Sequence, residues 1–374
     1  MFNANAKEAM RKDKYLGCLI GGAVGDALGY PVEFLSENSI MRRFGDGGIK
    51  ELCYENGVAR ISDDTQMTLF TANGILNSLC EIEMSRDFGK LLYNIGSCYV
   101  DWLLTQTLDY PVTAIKTHSW LMNVPELFSR RAPGNTCLSA LKERIGGRGS
   151  SIASPINDSK GCGGVMRAAP VGLFNLKKKL TIEETDLIAA EAAALTHGHP
   201  LGYIPAAGLA HIVRRTAQED MPLDNAVADM IKAVGKMFAR WDETNTFTAI
   251  MNEAVSLAKG DTPDIDAIHR LGEGWVGEEA FAISVFCALR YADDFEGAMI
   301  ASVNHNGDSD STGAITGNIL GAHLGLSAIP EKYLIGLELY DVTKTLAEDL
   351  LCPDTDSETW KSRYFTHNYK PTRT

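Results

Sequence analysis

Gly17, Gly21, Gly25 and Gly29 fall four residues apart near one end of the chain, and Gly313, Gly317, Gly321 and Gly325 repeat that spacing near the other. On an α-helix this spacing keeps successive positions almost on one face, so each set forms a bare ridge. A glycine inside a helix is about 1 kcal/mol worse than alanine, and a ridge of four must therefore be compensated. Close approach of a neighbouring backbone is the natural compensation. We expect two helices at the centre of the fold, each against a tightly packed neighbour, with direct contact between the two ridges as the simplest arrangement. Gly29 can instead sit at a helix end.

The rest of the chain has the same helical character. Segments 183–196, 204–217, 224–240, 278–291 and 333–351 combine apolar spacing of three and four with good helix formers. Clear period-2 alternation is hard to find, and no Pro/Ser-rich linker divides the sequence. With 374 residues, 45% of them hydrophobic, the chain can bury one large core. We expect a single all-α domain of orthogonally packed helices, with elaborations at about 104–149 and 218–263 and a C-terminal helical extension.

A formal net charge of −13 argues against nucleic-acid or anionic-membrane partners, which need a basic field. It suits divalent cations or a basic target. Arg11, Lys12 and Lys14 precede an apolar run from Tyr15 to Val32 that has the look of a signal peptide or a membrane span. Asp26 interrupts that run, and a carboxylate at bilayer depth costs roughly 2.5–3.5 kcal/mol on insertion scales. The run reads as a buried helix with a functional end. Eight scattered cysteines without a CxxC pair fit reduced thiols in a cytoplasmic protein.

Two carboxylate clusters stand out. Ser62-Asp63-Asp64-Thr65 and Gly307-Asp308-Ser309-Asp310-Ser311-Thr312 each open an apolar helical pattern. Helix capping accounts for the first taken singly. The second holds more acids and hydroxyls than a cap requires. Facing each other, the two could supply oxygen ligands to hard divalent cations, and four carboxylates in one pocket would repel strongly without them. Glu33, just past the first glycine helix, is a fifth candidate acid. Residues 308–313 begin like an EF-hand loop, but position twelve is Ile319 where glutamate is required. The same stretch fits the DxDxT opening of a phosphatase, yet helical surroundings replace the preceding strand, leaving a metal-dependent phosphohydrolase as a competing reading.

Ser159-Lys160-Gly161-Cys162-Gly163-Gly164 precedes an expected helix over 165–174 and could cradle a phosphate through exposed backbone N–H groups, although a glycine-rich stretch is usually an ordinary loop. His197 and His199 follow another expected helix. No third soft ligand lies nearby in sequence, so dipole complementation explains them as well as metal binding does.

Taken in order, Gly21–Gly29 with Glu33, Ser62–Thr65, Gly161–Arg167, Thr196-His197 and Gly307–Thr312 resemble the ADP-ribosylglycohydrolase family over about residues 14–328. The resemblance implies an orthogonal all-α fold with two Mg²⁺ or Mn²⁺ ions. It implies Ser62, Asp63, Asp64, Asp308, Asp310 and Ser311 as metal ligands, and Glu33, Asp63 and Asp310 as the residues nearest the chemistry. Ser159, Gly161, Cys162, Gly163, Gly164 and His197 would hold ADP-ribose. Ser62 and Ser311 stand where threonine is common, Cys162 where asparagine is frequent, and Asn135 where some relatives carry an acid. The implied activity is hydrolysis of an ADP-ribosylated protein at an N-glycosidic bond, arginine first, with serine or poly-ADP-ribose linkages as alternatives. A pocket that binds ADP-ribose without turnover would be expected to lack Glu33 or one acidic cluster, and both are present.

Overall fold

The two glycine ridges lie against each other. In the computed structural model, which describes residues 2–113, 115–176 and 179–365, the helix Phe2–Gly29 runs antiparallel to the helix Ser309–Leu324. A β-carbon built on Gly17 would lie 2.4 Å from the Gly321 carbonyl oxygen, one on Gly21 2.5 Å from that of Gly317, and one on Gly25 2.0 Å from that of Gly313. Backbone approach at this range leaves room for no side chain, and it compensates the ridge's poor helix propensity with dispersion attraction along the whole seam. Gly29 does end its helix. Gly325, at φ +92°, caps the other one rather than belonging to it.

The antiparallel pairing has a functional consequence. It sets the C-terminal end of the first helix, with Asp26 and Glu33, beside the N-terminal end of the second, with Asp308 and Asp310. A third helix, Asp63–Ser85, starts at the same place because the Asp26 carboxylate accepts hydrogen bonds from the backbone N–H of Ser62 at 2.9 Å and of Thr65 at 3.0 Å.

Around this centre pack Ile182–Ala194, Pro200–Val213 and Gly277–Arg290. Residues 218–263 contain the helices Leu223–Met237 and Glu243–Lys259, and Phe247 of the latter stacks on Phe281 at 6.2 Å. Tyr340–Leu351 and Glu358–Tyr364 are the last two described helices, and one continuous apolar core reaches from Tyr15 to Tyr364. No single helix among the described residues is long and apolar enough to cross a membrane. The first helix passes that test only jointly with Glu37–Phe44, bent 96° from it.

Four expectations need correction. A short antiparallel hairpin pairs Tyr54–Glu55 with Val58–Ala59 around Asn56-Gly57, both at positive φ, and that dipeptide was its sequence signal. The helix expected over 165–174 is only Ala169–Leu173, because Pro170 favours a helix start at that point and disfavours helical backbone just before it. The helix expected from 333 begins at Tyr340, since Gly336 and Leu339 adopt positive φ. The helix expected over 204–217 starts earlier, at Pro200 capped by His199, and ends as a π-turn over Arg214–Gln218.

Candidate active site

Three helix termini converge on a cleft of about 340 Å³. Glu33, Asp63, Asp64, Asp308, Asp310 and Ser311 line one end, and Gly161, Cys162, Gly163 and His197 line the other. The two acidic clusters, some 245 residues apart in sequence, thus share one pocket.

Each cluster is built by its helix start. Ser62 caps Asp63–Ser85, its hydroxyl accepting from the Asp64 N–H at 3.2 Å. The Asp63 N–H donates to the Arg131 carbonyl at 3.0 Å, and its Oδ2 accepts from the Gly134 N–H at 3.4 Å. Asp308 caps Ser309–Leu324 by accepting from the Ser311 N–H at 3.3 Å. Capping therefore holds here too, and it orients acids that also have cleft-facing oxygens. One carboxylate oxygen each from Glu33, Asp308 and Asp310 lies within 4.8 Å of the others.

So many buried acids cannot all ionise unaided. Burial, then Asp310 and Asp308, push the Glu33 carboxyl up to about 10. Burial and Asp310 raise Asp63, Asp64 and Asp308 well above the usual carboxylate range, and burial raises Asp310 as well. Asp64 Oδ2 and Glu33 Oε2 are buried with no hydrogen-bond partner. Orphaned anionic oxygens at the centre of a like-charged cluster are what hard divalent cations would satisfy, so these residues fit the metal pair that the sequence implied.

Asp26 is a buried acid that the sequence reading left outside the site. It is fully buried, accepts from Ser62 and Thr65 backbone and from the Thr65 hydroxyl, and is pushed up to about 7 by burial and then Asp310. It fixes the start of the helix Asp63–Ser85 rather than lining the cleft. Its charge inside an apolar run was the available signal, but its partners lie 36 and 39 residues away.

On the opposite side, the Cys162 thiol donates to Asp308 Oδ2 at 2.7 Å, and burial, then Asp308, raises its pKa. A β-carbon on Gly163 would sit 2.9 Å from the His197 ring, so glycine lets the backbone approach the cleft. Arg167 donates to the Thr196 hydroxyl at 2.6 Å, and that hydroxyl lies 2.8 Å from His197 Nδ1 in a hydrogen bond. Burial, then Arg167, lowers His197 to about 3, so the ring is neutral, and its Nε2 is the side-chain atom nearest a β-carbon built on Gly161. Ser159 lies one layer back, 3.1 Å from the Thr136 hydroxyl, Gly164 packs under Gly202, and Ser62 is fully buried beneath the acids. With only a 3₁₀ turn at Cys162–Gly164 before Ala169, the loop lacks the helix dipole expected behind it.

Nothing in the sequence signalled the aromatic pair at the mouth. Phe34 and Trp275, from separate segments, stack at 5.8 Å with planes 18° apart and both line the cleft. Phe34 is 72% exposed.

Comparison with known proteins gives this arrangement a context. The chain is 25% identical over 337 residues to an ADP-ribosyl-[dinitrogen reductase] glycohydrolase of Rhodospirillum rubrum, covering 87% of this chain and 91% of that protein. It is 23% identical over 372 residues to an ADP-ribosylarginine hydrolase of Serratia proteamaculans, covering 93% and 82%. Its fold matches a solved ADP-ribosylglycohydrolase-related protein complex with a TM-score of 0.63 at 23% identity, over 92% of this chain and 98% of that one. The family profile of the ADP-ribosylglycohydrolases spans residues 7–358, a range holding both glycine ridges and every acid in the cleft. The chain therefore belongs to the ADP-ribosylglycohydrolase family and is a hydrolase of glycosyl bonds.

Proposed function

We propose that this enzyme removes ADP-ribose from a modified arginine side chain, reversing mono-ADP-ribosylation, with two Mg²⁺ or Mn²⁺ ions held by Asp63, Asp64, Asp308 and Asp310 and by the hydroxyls of Ser62 and Ser311. The observation that carries the reading is the convergence of two acidic helix starts on one cleft with orphaned carboxylate oxygens. When bound, the cations would orient the distal ribose hydroxyls and stabilise developing charge.

The chain's own groups do the rest. Glu33 lines the cleft with Oε2 unpartnered; ionised once bound cations offset its acidic neighbours, it would hold the attacking water and accept its proton as the C1″–N bond breaks, and Asp63 and Asp310 line the same cleft. General-base assistance of this kind is worth ~10²–10⁴-fold. The His197 ring and the Gly161, Cys162 and Gly163 backbone bind the nucleotide side, with Ser159 and Gly164 shaping the loop. Phe34 and Trp275 offer ring faces on which a planar guanidinium stacks, which favours arginine as the leaving side chain. Release of ADP-ribose from ADP-ribosyl-arginine, ADP-ribosyl-serine and poly-ADP-ribose, and hydrolysis of p-nitrophenyl phosphate, each with and without Mg²⁺, tests this. Mg²⁺-dependent release from the arginine conjugate is expected to dominate. Binding of ADP-ribose without any turnover, or turnover of the phosphate ester alone, would refute the proposal.

A further inference from the structure

Behind one wall of the cleft lies a second, polar pocket of about 470 Å³. Asn135 and Thr136, in the first turn of the helix Asn135–Ile145, line both spaces. The residue before them, Gly134, donates its N–H to Asp63 Oδ2, so the pocket adjoins the cleft at its acidic end.

Three further residues define what it can hold. Gln106 is 8% exposed, and its orientation is fixed by a chain of one-way hydrogen bonds. The Trp102 indole can only donate, and it donates to Gln66 Oε1 at 3.1 Å, while Gln66 Nε2 donates to the Ser129 carbonyl at 3.1 Å. Gln106 must then turn its NH₂ to Gln66 Oε1, at 3.0 Å, and to Thr105 Oγ1, at 2.9 Å. Its Oε1 is left buried without a partner, an acceptor that calls for a donor. Arg130 and Lys142, also on the wall, are exposed cations in no ion pair among the described residues.

We propose that this pocket receives the polypeptide next to the modified arginine and prefers an acidic side chain there. A peptide N–H would satisfy Gln106 Oε1, and a neighbouring carboxylate would lie between Arg130 and Lys142. A polypeptide fits better than a polyanion such as poly-ADP-ribose, because only two cations are available on a chain of net charge −13. The inference rests on the arginine-hydrolase reading, and it adds which target sequences are read.

The test uses the full chain with Mg²⁺ and three substrates: free ADP-ribosyl-arginine, an ADP-ribosylated arginine peptide flanked by glutamates, and the same peptide flanked by glutamines. The glutamate peptide should have a kcat/KM roughly tenfold above the glutamine peptide, carried by KM and fading with added salt. The double variant Arg130→Glu/Lys142→Glu should erase that preference and leave free ADP-ribosyl-arginine unaffected. Equal rates on the two peptides with normal turnover of free ADP-ribosyl-arginine would refute this inference alone. So would a preference that survives the double reversal. No turnover of any of the three would refute the underlying reading and this one with it.

Discussion

Replacing Gly321 by alanine puts a methyl carbon 1.9 Å from the Gly17 carbonyl oxygen and 2.3 Å from its carbonyl carbon. Ordinary van der Waals separation is about 3.5 Å, so the two central helices must part locally by roughly 1.5 Å. Both obstacles are backbone, and no rotamer change relieves them. Overpacking costs about 1–3 kcal/mol. The gain of about 1 kcal/mol in helix propensity is outweighed by the dispersion attraction forfeited as the seam opens, and we place the net loss near 3 kcal/mol, the top of that range. Unfolding entropy of about 2.1 cal/mol/K per residue gives roughly 0.8 kcal/mol/K for 374 residues, so Tm should fall by about 4 °C. Differential scanning calorimetry against Gly149→Ala, where an added β-carbon meets nothing within 4 Å, provides the control. Gly313→Ala, 2.4 Å from the Gly25 oxygen and one turn from Asp310, should lower Tm comparably and also weaken Mn²⁺ binding roughly tenfold. Wild-type melting of Gly321→Ala would refute the seam as the centre of the fold.

The acidic cluster predicts an unusual pH profile. Asp26 and Glu33 have folded pKa values of about 7 and about 10, above the unfolded value of about 4. In chelator their stabilising effect is therefore complete below about pH 4 and is lost as pH rises through 7 and beyond; urea midpoints should fall from pH 5 to pH 8 in EDTA and change far less in Mg²⁺. Glu338 is buried and holds Arg60 at 2.6 Å, Arg131 at 3.0 Å and the Ile61 N–H at 3.1 Å. Glu338→Ala should cost about 3 kcal/mol by chemical denaturation, the usual loss when one partner of a buried ion pair is removed. Phe34→Ala should raise KM for ADP-ribosyl-arginine by roughly two- to thirtyfold, the range of a cation–π interaction of about 0.5–2 kcal/mol, while ADP-ribose affinity measured by calorimetry stays near wild type.

What was readable in the sequence was what physical chemistry makes expensive. Glycine every fourth residue in a helix is tolerated only where backbones touch, so Gly17–Gly29 and Gly313–Gly325 announced their meeting. Clustered acids at two helix starts announced a shared pocket, and the ordered motifs announced the family. The remainder depended on partners remote in the chain. Asp26 marked a functional helix end, but its partners Ser62 and Thr65, 36 and 39 residues away, were not readable. The Phe34–Trp275 stack joins residues 241 positions apart with no periodicity to reveal them. Two misses were local and legible: Asn56-Gly57 between two short extended segments, and Pro170, which delayed a helix assigned from hydrophobic spacing alone.

Counting Mn²⁺ ions bound by the purified chain, using calorimetry with electron paramagnetic resonance of the free ion, tests the shared acidic site most directly. Two ions per chain are expected for the wild type, with at least one lost in Asp64→Asn and in Asp310→Asn while circular dichroism is unchanged. Absence of uptake by the wild type, or a stoichiometry that either substitution leaves intact, would contradict the account.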